Sequence, residues 1–257
     1  MLGKLLKYDL KWTYKNLIVF YCLTIFFALI GRGLNLIENS SVFHVLSLIS
    51  CGTSVAMMFN ILINNIMRLW ARLIQNVYKD ESYLTHTLPV KKSDIYLSKV
   101  LCALITFFTS IVVIIFGLVI CYCSSDLINF LKAFVIDSFW TVLIEIIIVI
   151  FLELLFVVFV GYLGIIIGYG FNNGKLVKSL ACGFGIYIGC SMISLVALFI
   201  LALFNSNLME MFTSNVSSPD FGVIKDILIL AVILYLIYII ICNVISNKLL
   251  KRGVNID

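Results

Sequence analysis

The sequence predicts an all-α membrane protein with six transmembrane helices behind an N-terminal interfacial amphipathic helix. Both termini are expected on the cytoplasmic side. Three observations predict this. Hydrophobic residues make up 63% of the 257 and charged residues only 12%, about half the roughly 25% usual in soluble domains. Apolar runs of about 18 residues or more recur along the chain, longer than a soluble core requires. Lys and Arg are concentrated on alternate connections between those runs. No segment reads as a separate soluble domain, so residues 1–257 form a single transmembrane domain.

The first element is residues 1–15, where Lys4, Lys7, Lys11 and Lys15 alternate with Leu2, Leu5, Leu6, Leu10 and Trp12. Charge spread this widely, with no small-residue cleavage site after the next apolar run, is unlike a secretory signal. Leu2, Leu5, Leu6 and Trp12 can share one helical face, which predicts a helix lying along the inner membrane surface. The plainer alternative is a charged lead-in to the first span.

Six spans follow by hydropathy: 16–30, 42–70, 97–123, 139–171, 179–204 and 227–245. Counting Lys and Arg orients them. Four lie in the N-terminal arm, and Arg68, Arg72, Lys79, Lys91, Lys92 and Lys99 flank or fill the second connection. Lys175 and Lys178 follow the fourth span, and Lys248, Lys251 and Arg252 follow the sixth. That places 15 of the 18 on one side and leaves Arg32, Lys132 and Lys225 on the other. This bias accounts for the net charge of +5, and no nucleic-acid partner is needed to explain it.

The second span is the most polar. At helical spacing His44, Ser47, Cys51, Ser54, Met58, Ile61 and Asn65 form a stripe, with Asn60 and Asn64 beside it. Two readings stay open: Ser47, Ser54, Asn60 and Asn64 line a translocation path, or they hydrogen-bond neighbouring helices. In the fourth span Glu145 falls in the outer headgroups. Glu153 lies inside the hydrocarbon near the outer boundary, where a carboxylate must face the bundle, be neutral or meet a cation, and it joins the candidate path residues. Gly164-x-x-x-Gly168, then Gly183 and Gly185-x-x-x-Gly189, predict a close seam between spans four and five. The loop 205–225 is the longest on the outer side, amphipathic at Leu208, Met209, Met211 and Phe212 and interrupted at Pro219.

The eight cysteines, at 22, 51, 102, 121, 123, 182, 190 and 242, fall in or at the ends of apolar spans without metal-site spacing. They read as small packing residues. The nearest approach to a phosphate-binding loop, Gly170-Phe-Asn-Asn-Gly174-Lys175-Leu176, is one residue short and lacks the hydroxyl that would hold magnesium. No G-x-S-x-G or H-E-x-x-H occurs, and the two histidines, His44 and His86, are expected on opposite sides of the membrane. The chain therefore reads as a non-enzyme with no cofactor or metal of its own, and if it pumps, a partner must hydrolyse ATP.

Between the second and third spans lies a polar island, residues 76–99: N-V-Y-K-D-E-S-Y-L-T-H-T-L-P-V-K-K-S-D-I-Y-L-S-K. It reads as a short amphipathic helix, a turn bounded by Pro89, whose ring cannot continue a helix, and a basic re-entry into the bilayer. Asp80, Glu81, Tyr83, Leu84, Thr87, Leu88 and Pro89 form a stretch that resembles the first cytoplasmic loop of the type-2 permease family of ATP-binding-cassette (ABC) transporters. There a D-E-x-Y-L-x-x-T-L-P-like run precedes basic residues and the third span. The motif covers about a tenth of the chain, and the remaining likeness is one of layout. The resemblance implies a permease subunit of an ABC exporter, whose loop 71–96 docks on a separate ATPase subunit that binds ATP and magnesium. It further implies a second permease copy or a related permease, a plasma-membrane location, an interfacial first helix, and short helices dipping into the outer leaflet within 205–225. Apolar walls favour an amphipathic or lipophilic substrate such as an antimicrobial peptide, a lipid or a drug. Two other functions fit the residues alone: a membrane protein that captures a small molecule, and a glutamate-dependent intramembrane protease built on Glu153.

Overall fold

The structure, a computed structural model, describes residues 2–37, 41–79, 81–87, 90–122, 137–205, 208–209 and 221–252. Among them the regular structure is helical, without strands. That is the expected result of an apolar surround, where every backbone N–H and C=O must be satisfied within its own segment. The helices are α1 (Leu2–Asn35), α2 (Ser41–Val77), α3 (Ser82–Thr87), α4 (Lys92–Tyr122), α5 (Asp137–Gly168), α6 (Lys175–Phe204) and α7 (Phe221–Arg252). All but α3 are long and apolar enough to cross a membrane, and the chain is a multi-pass helical membrane protein.

The sequence separates a surface helix at 1–15 from a first span at 16–30, whereas α1 runs through both without a break. No Gly or Pro lies between Lys4 and Gly31 to interrupt its hydrogen-bond ladder. The face expected to lie on the membrane surface packs on protein instead: Asp9 and Thr13 are buried, and Leu5, Leu6 and Trp12 are half-buried. α2 and α4 likewise extend past their apolar cores into the polar island, so the connection 71–96 narrows to the residues between Val77 and Lys92.

The chain divides into two compact units. Unit 1 comprises Met1–Asn76 and His86–Phe134, and unit 2 comprises Val77–Thr85 and Val135–Asp257.

In unit 1, α1, α2 and α4 are joined by side-chain hydroxyls and amides. Ser47, Ser50 and Ser54 of α2 donate to the carbonyls of Gly31, Phe27 and Thr24 of α1, at 2.8, 2.9 and 3.0 Å. Donor numbers rise as acceptor numbers fall, which is the register of an antiparallel pair. On α4, Ser110 meets the Tyr21 hydroxyl at 2.8 Å and accepts from the Asn65 amide at 3.2 Å, while Thr109 meets the Tyr14 hydroxyl at 2.8 Å. Gly31 is required at the α1–α2 crossing, because a Cβ there would stand 2.5 Å from the Cys51 sulfur.

In unit 2, α5 packs against both α6 and α7. The expected glycine seam is present at Gly164, Gly168 and Gly183, but does not include Gly185 and Gly189. A Cβ on Gly164 would come within 2.7 Å of the Gly183 backbone, and one on Gly168 would overlap the Ser179 backbone. Gly185 and Gly189 have nothing within 4 Å. The small residues of α6 that face α5 are therefore Ser179 and Gly183, four apart. Gly185 sits two residues on, roughly 200° around the helix. The turn before α6 closes on Gly174 at φ 65, a left-handed conformation that suits glycine. Of the loop 205–225, residues 206–207 and 210–220 lie outside the described residues, and with them the expected dipping helices. Leu208 is buried against Ala202 and Val223, and the Asn205 amide donates to Asp226 at 2.9 Å. The seven described cysteines are all free.

Candidate functional site

In sequence the polar island comprises the end of α2, the six-residue α3 and the start of α4. A turn closed by the Ser82 N–H on the Lys79 carbonyl, at 2.7 Å, leads into α3. Lys91 supplies the carbonyl that opens α4, accepting from Asp94 at 2.8 Å. α3 ends at Thr87, two residues before Pro89. On it Tyr83 is 78% exposed and Thr87 is exposed, Ser82 is buried, and Glu81 just before it is half-buried. Leu84 lies within α3, but its side chain is outside the described set, as are Asp80, Leu88 and Pro89. Where the connection leaves α2, the Tyr78 ring lies 4.6 Å from the Tyr169 ring, both buried, within unit 2. That burial, with Tyr169 beside it, pushes the Tyr78 phenol well above its ordinary pKa, so it stays neutral.

The helices that flank the connection are fastened in unit 1 by a group of charges that sequence reasoning did not bring together. The Asp9 carboxylate of α1 accepts from Arg72 Nε of α2 at 2.9 Å, from Lys99 Nζ of α4 at 2.5 Å, and from the Ser98 hydroxyl at 2.8 Å. The side chains of Asp9 and Lys99 are 3% and 2% exposed. One acid thus holds two buried cations, one on each helix that borders the polar island. Trp12, one turn along α1 from Asp9, lies under both Arg68 and Arg72, with guanidinium carbons 4.9 and 5.5 Å from the ring centre. Arg68 also donates to the Trp12 carbonyl at 3.3 Å. Buried charges persist only where they are paired and hydrogen-bonded, and here the pairing spans three helices. Counting Lys and Arg treats Arg72 and Lys99 as loop charges and hides this role. The available signal was Asp9 itself, the only acid in the first 37 residues.

The four candidate path residues on α2 do not share one surface. Ser47 and Ser54 are buried, their hydroxyls on α1 carbonyls. Asn60 and Asn64 lie on another face of α2, where each amide donates to the carbonyl four residues back, Ala56 at 3.1 Å and Asn60 at 2.9 Å. Asn60 is exposed and Asn64 half-buried. Glu153 is exposed on α5, in unit 2. Among the described residues no cluster of three His, Cys, Asp or Glu could hold a metal ion.

No family model, curated protein or solved structure matches the chain.

Proposed function

We propose that the chain is the membrane-spanning permease subunit of an ATP-driven exporter, akin to the type-2 permeases of ABC transporters. A separate ATPase subunit would bind ATP and magnesium, and a second permease, identical or related, would complete the transporter in the plasma membrane with both termini cytoplasmic. One observation carries the reading: the D-E-x-Y-L-x-x-T-L-P-like stretch folds in part as a short helix that presents Tyr83, 78% exposed, in the connection between two long apolar helices.

A coupling element must meet a partner and must move what it is attached to. Tyr83 supplies a large amphipathic ring of the kind enriched at the centres of protein interfaces. On the membrane side, α2 is one unbroken helix of 37 residues, a rod of about 55 Å. The Asp9 cluster ties it to α1 and α4, so a push on the connection would be passed to three helices together. An amphipathic or lipophilic cargo, such as an antimicrobial peptide, a lipid or a drug, suits the apolar walls.

The test is co-purification from the native membrane in mild detergent. An ATPase subunit is expected to accompany the wild-type chain and to be lost when Tyr83 and Leu84 are both changed to Ala, with the permease still monodisperse. Recovery of the same ATPase with the double variant, or of none with the wild type, would overturn the proposal.

A further inference from the structure

At the centre of α5 is an exposed carboxylate, and among the described residues of α5, α6 and α7 no basic residue lies near the middle of its helix. α5 contains no Lys, Arg or His. Those of α6 are Lys175 and Lys178, at its start, and those of α7 are Lys225 near its start and Lys248, Lys251 and Arg252 near its end. Glu153 falls 16 residues from one end of α5 and 15 from the other, so about 22 Å of helix separates it from either terminus. A lipid headgroup has no reason to sit at that depth, where a carboxylate is costly unless it meets a cation.

One helical turn from Glu153 lies an aromatic group. Phe156, one turn along the same face of α5, is 3% exposed. Its ring centre is 5.9 Å from that of Tyr187 on α6, and 5.6 and 5.5 Å from those of Tyr235 and Tyr238 on α7. Phe156 therefore fills the middle of the group and holds three tyrosines in place. Tyr238 is buried, its hydroxyl against the Cys190 carbonyl and the Ser194 hydroxyl, each at 3.2 Å. The other two keep open surface: Tyr187 is 38% exposed and Tyr235 half-buried. Tyr235 lies within electrostatic reach of the Glu153 carboxylate. The cation–π contacts among the described residues are elsewhere, on Trp12 and Phe171.

A carboxylate one helical turn from electron-rich rings, set in apolar surroundings, is the chemistry that recognises an organic cation carried on an apolar body. We propose that Glu153, Tyr187 and Tyr235 form a binding site for a lipophilic organic cation. The carboxylate supplies the counter-charge, and the open surfaces of the two rings supply cation–π contact. A small, strongly hydrated metal cation would gain little from the rings, and a neutral lipophile would leave the carboxylate uncompensated. Calling that cation the cargo rests on the exporter reading, whereas the binding itself does not.

The test is equilibrium dialysis of radiolabelled tetraphenylphosphonium against the purified full-length chain in nanodiscs, without any ATPase. Saturable binding is expected, with triphenylphosphine oxide, a neutral relative, failing to compete. Glu153→Gln should weaken it by roughly tenfold or more. Tyr235→Leu should weaken it by roughly three- to tenfold, while Tyr235→Phe, which keeps the ring, should stay within about twofold. The Tyr235 pair decides the matter if Glu153→Gln does not give folded protein. Absence of saturable binding, equal binding by Glu153→Gln, or full competition by the neutral compound would overturn the site. Cation binding without a co-purifying ATPase would keep the site and remove the exporter. An ATPase without cation binding would do the reverse.

Discussion

Units 1 and 2 each hold three long helices, and they do so with different chemistry. In unit 1 the joints are polar: three serines on backbone carbonyls, two tyrosines and an asparagine on α4 hydroxyls, and one aspartate on two cations. In unit 2 the joints are a glycine seam, where α5 and α6 backbones nearly touch, and a four-ring aromatic group joining α5 to α6 and α7. Helices in lipid gain little from the hydrophobic effect between one another, so packing and hydrogen bonds must decide their association. Unit 1 relies mainly on direction, since a hydroxyl reaches one carbonyl and fixes the register. Unit 2 relies mainly on closeness, since any side chain in the seam separates the pair. The first arrangement suits helices that must move together, consistent with the proposed lever. The second leaves the Glu153 carboxylate exposed and Tyr187 and Tyr235 only partly covered, as the proposed cation site requires.

The sharpest way to break unit 1 is through its charge cluster. Asp9→Asn keeps the shape and removes the carboxylate that Arg72 and Lys99 share. Uncompensated buried charge costs about 3–5 kcal/mol, so detergent-solubilised protein should lose thermal stability far more than for any single hydroxyl. Pairing Asp9→Asn with Lys99→Met should recover a large part of the loss, because one buried cation then no longer needs a partner. Fluorescence-detected size exclusion after heating reads both. If Asp9→Asn melts like the wild type, the cluster does not hold these helices.

Unit 2 should instead be broken by volume. Gly164→Val would place carbon against the Gly183 backbone, which cannot rotate away as a flexible side chain could. Overpacking of this kind costs roughly 1–3 kcal/mol. Gly185→Val, on a face of α6 with nothing within 4 Å, should change stability by about 0.5 kcal/mol or less. Equal melting of the two variants would show that the close approach of α5 and α6 is not what fastens them.

The contrast also explains what could be read in advance. Length and apolarity alone locate six spans, and the composition of 76–99 suffices to place a short helix before Pro89. Of the α2 stripe visible in sequence, Ser47, Cys51, Ser54, Met58, Ile61 and Asn65 are buried, because a face repeats every three to four residues wherever it packs, while His44 at its start is exposed. Sequence did not say what that face meets. Nothing local marks Asp9 as the partner of residues 63 and 90 positions away, since a buried ion pair has no period. Nor does spacing reveal that Glu153 lies within electrostatic reach of Tyr235, on a helix separated from it by another span. The glycine pattern misplaced its partner for a related reason. Gly183 and Gly185 both satisfy a small-residue rule, and only the rotation of α6 chooses between them.

The smallest effects test whether the serine joints act singly or as a set. Each serine hydroxyl donates to a carbonyl in the body of α1 that can also accept a bond within its own helix, so deleting the hydroxyl strands no donor and no acceptor. Ser54→Ala should therefore cost only ~0.6–1.7 kcal/mol, the range measured for hydrogen bonds between membrane helices, and Ser47→Ala should cost about the same. The two lie seven residues apart, about 10 Å along α2, a separation at which independent changes add within about 0.3–0.5 kcal/mol. A double variant whose loss equals the sum means that each hydroxyl holds its own crossing. A loss well above the sum means that Ser50 between them cannot keep its bond to Phe27 alone, and that register in unit 1 is set by the row. A loss near zero for all three variants would leave Gly31, with Cys51 against it, as the feature that fixes how α1 and α2 meet.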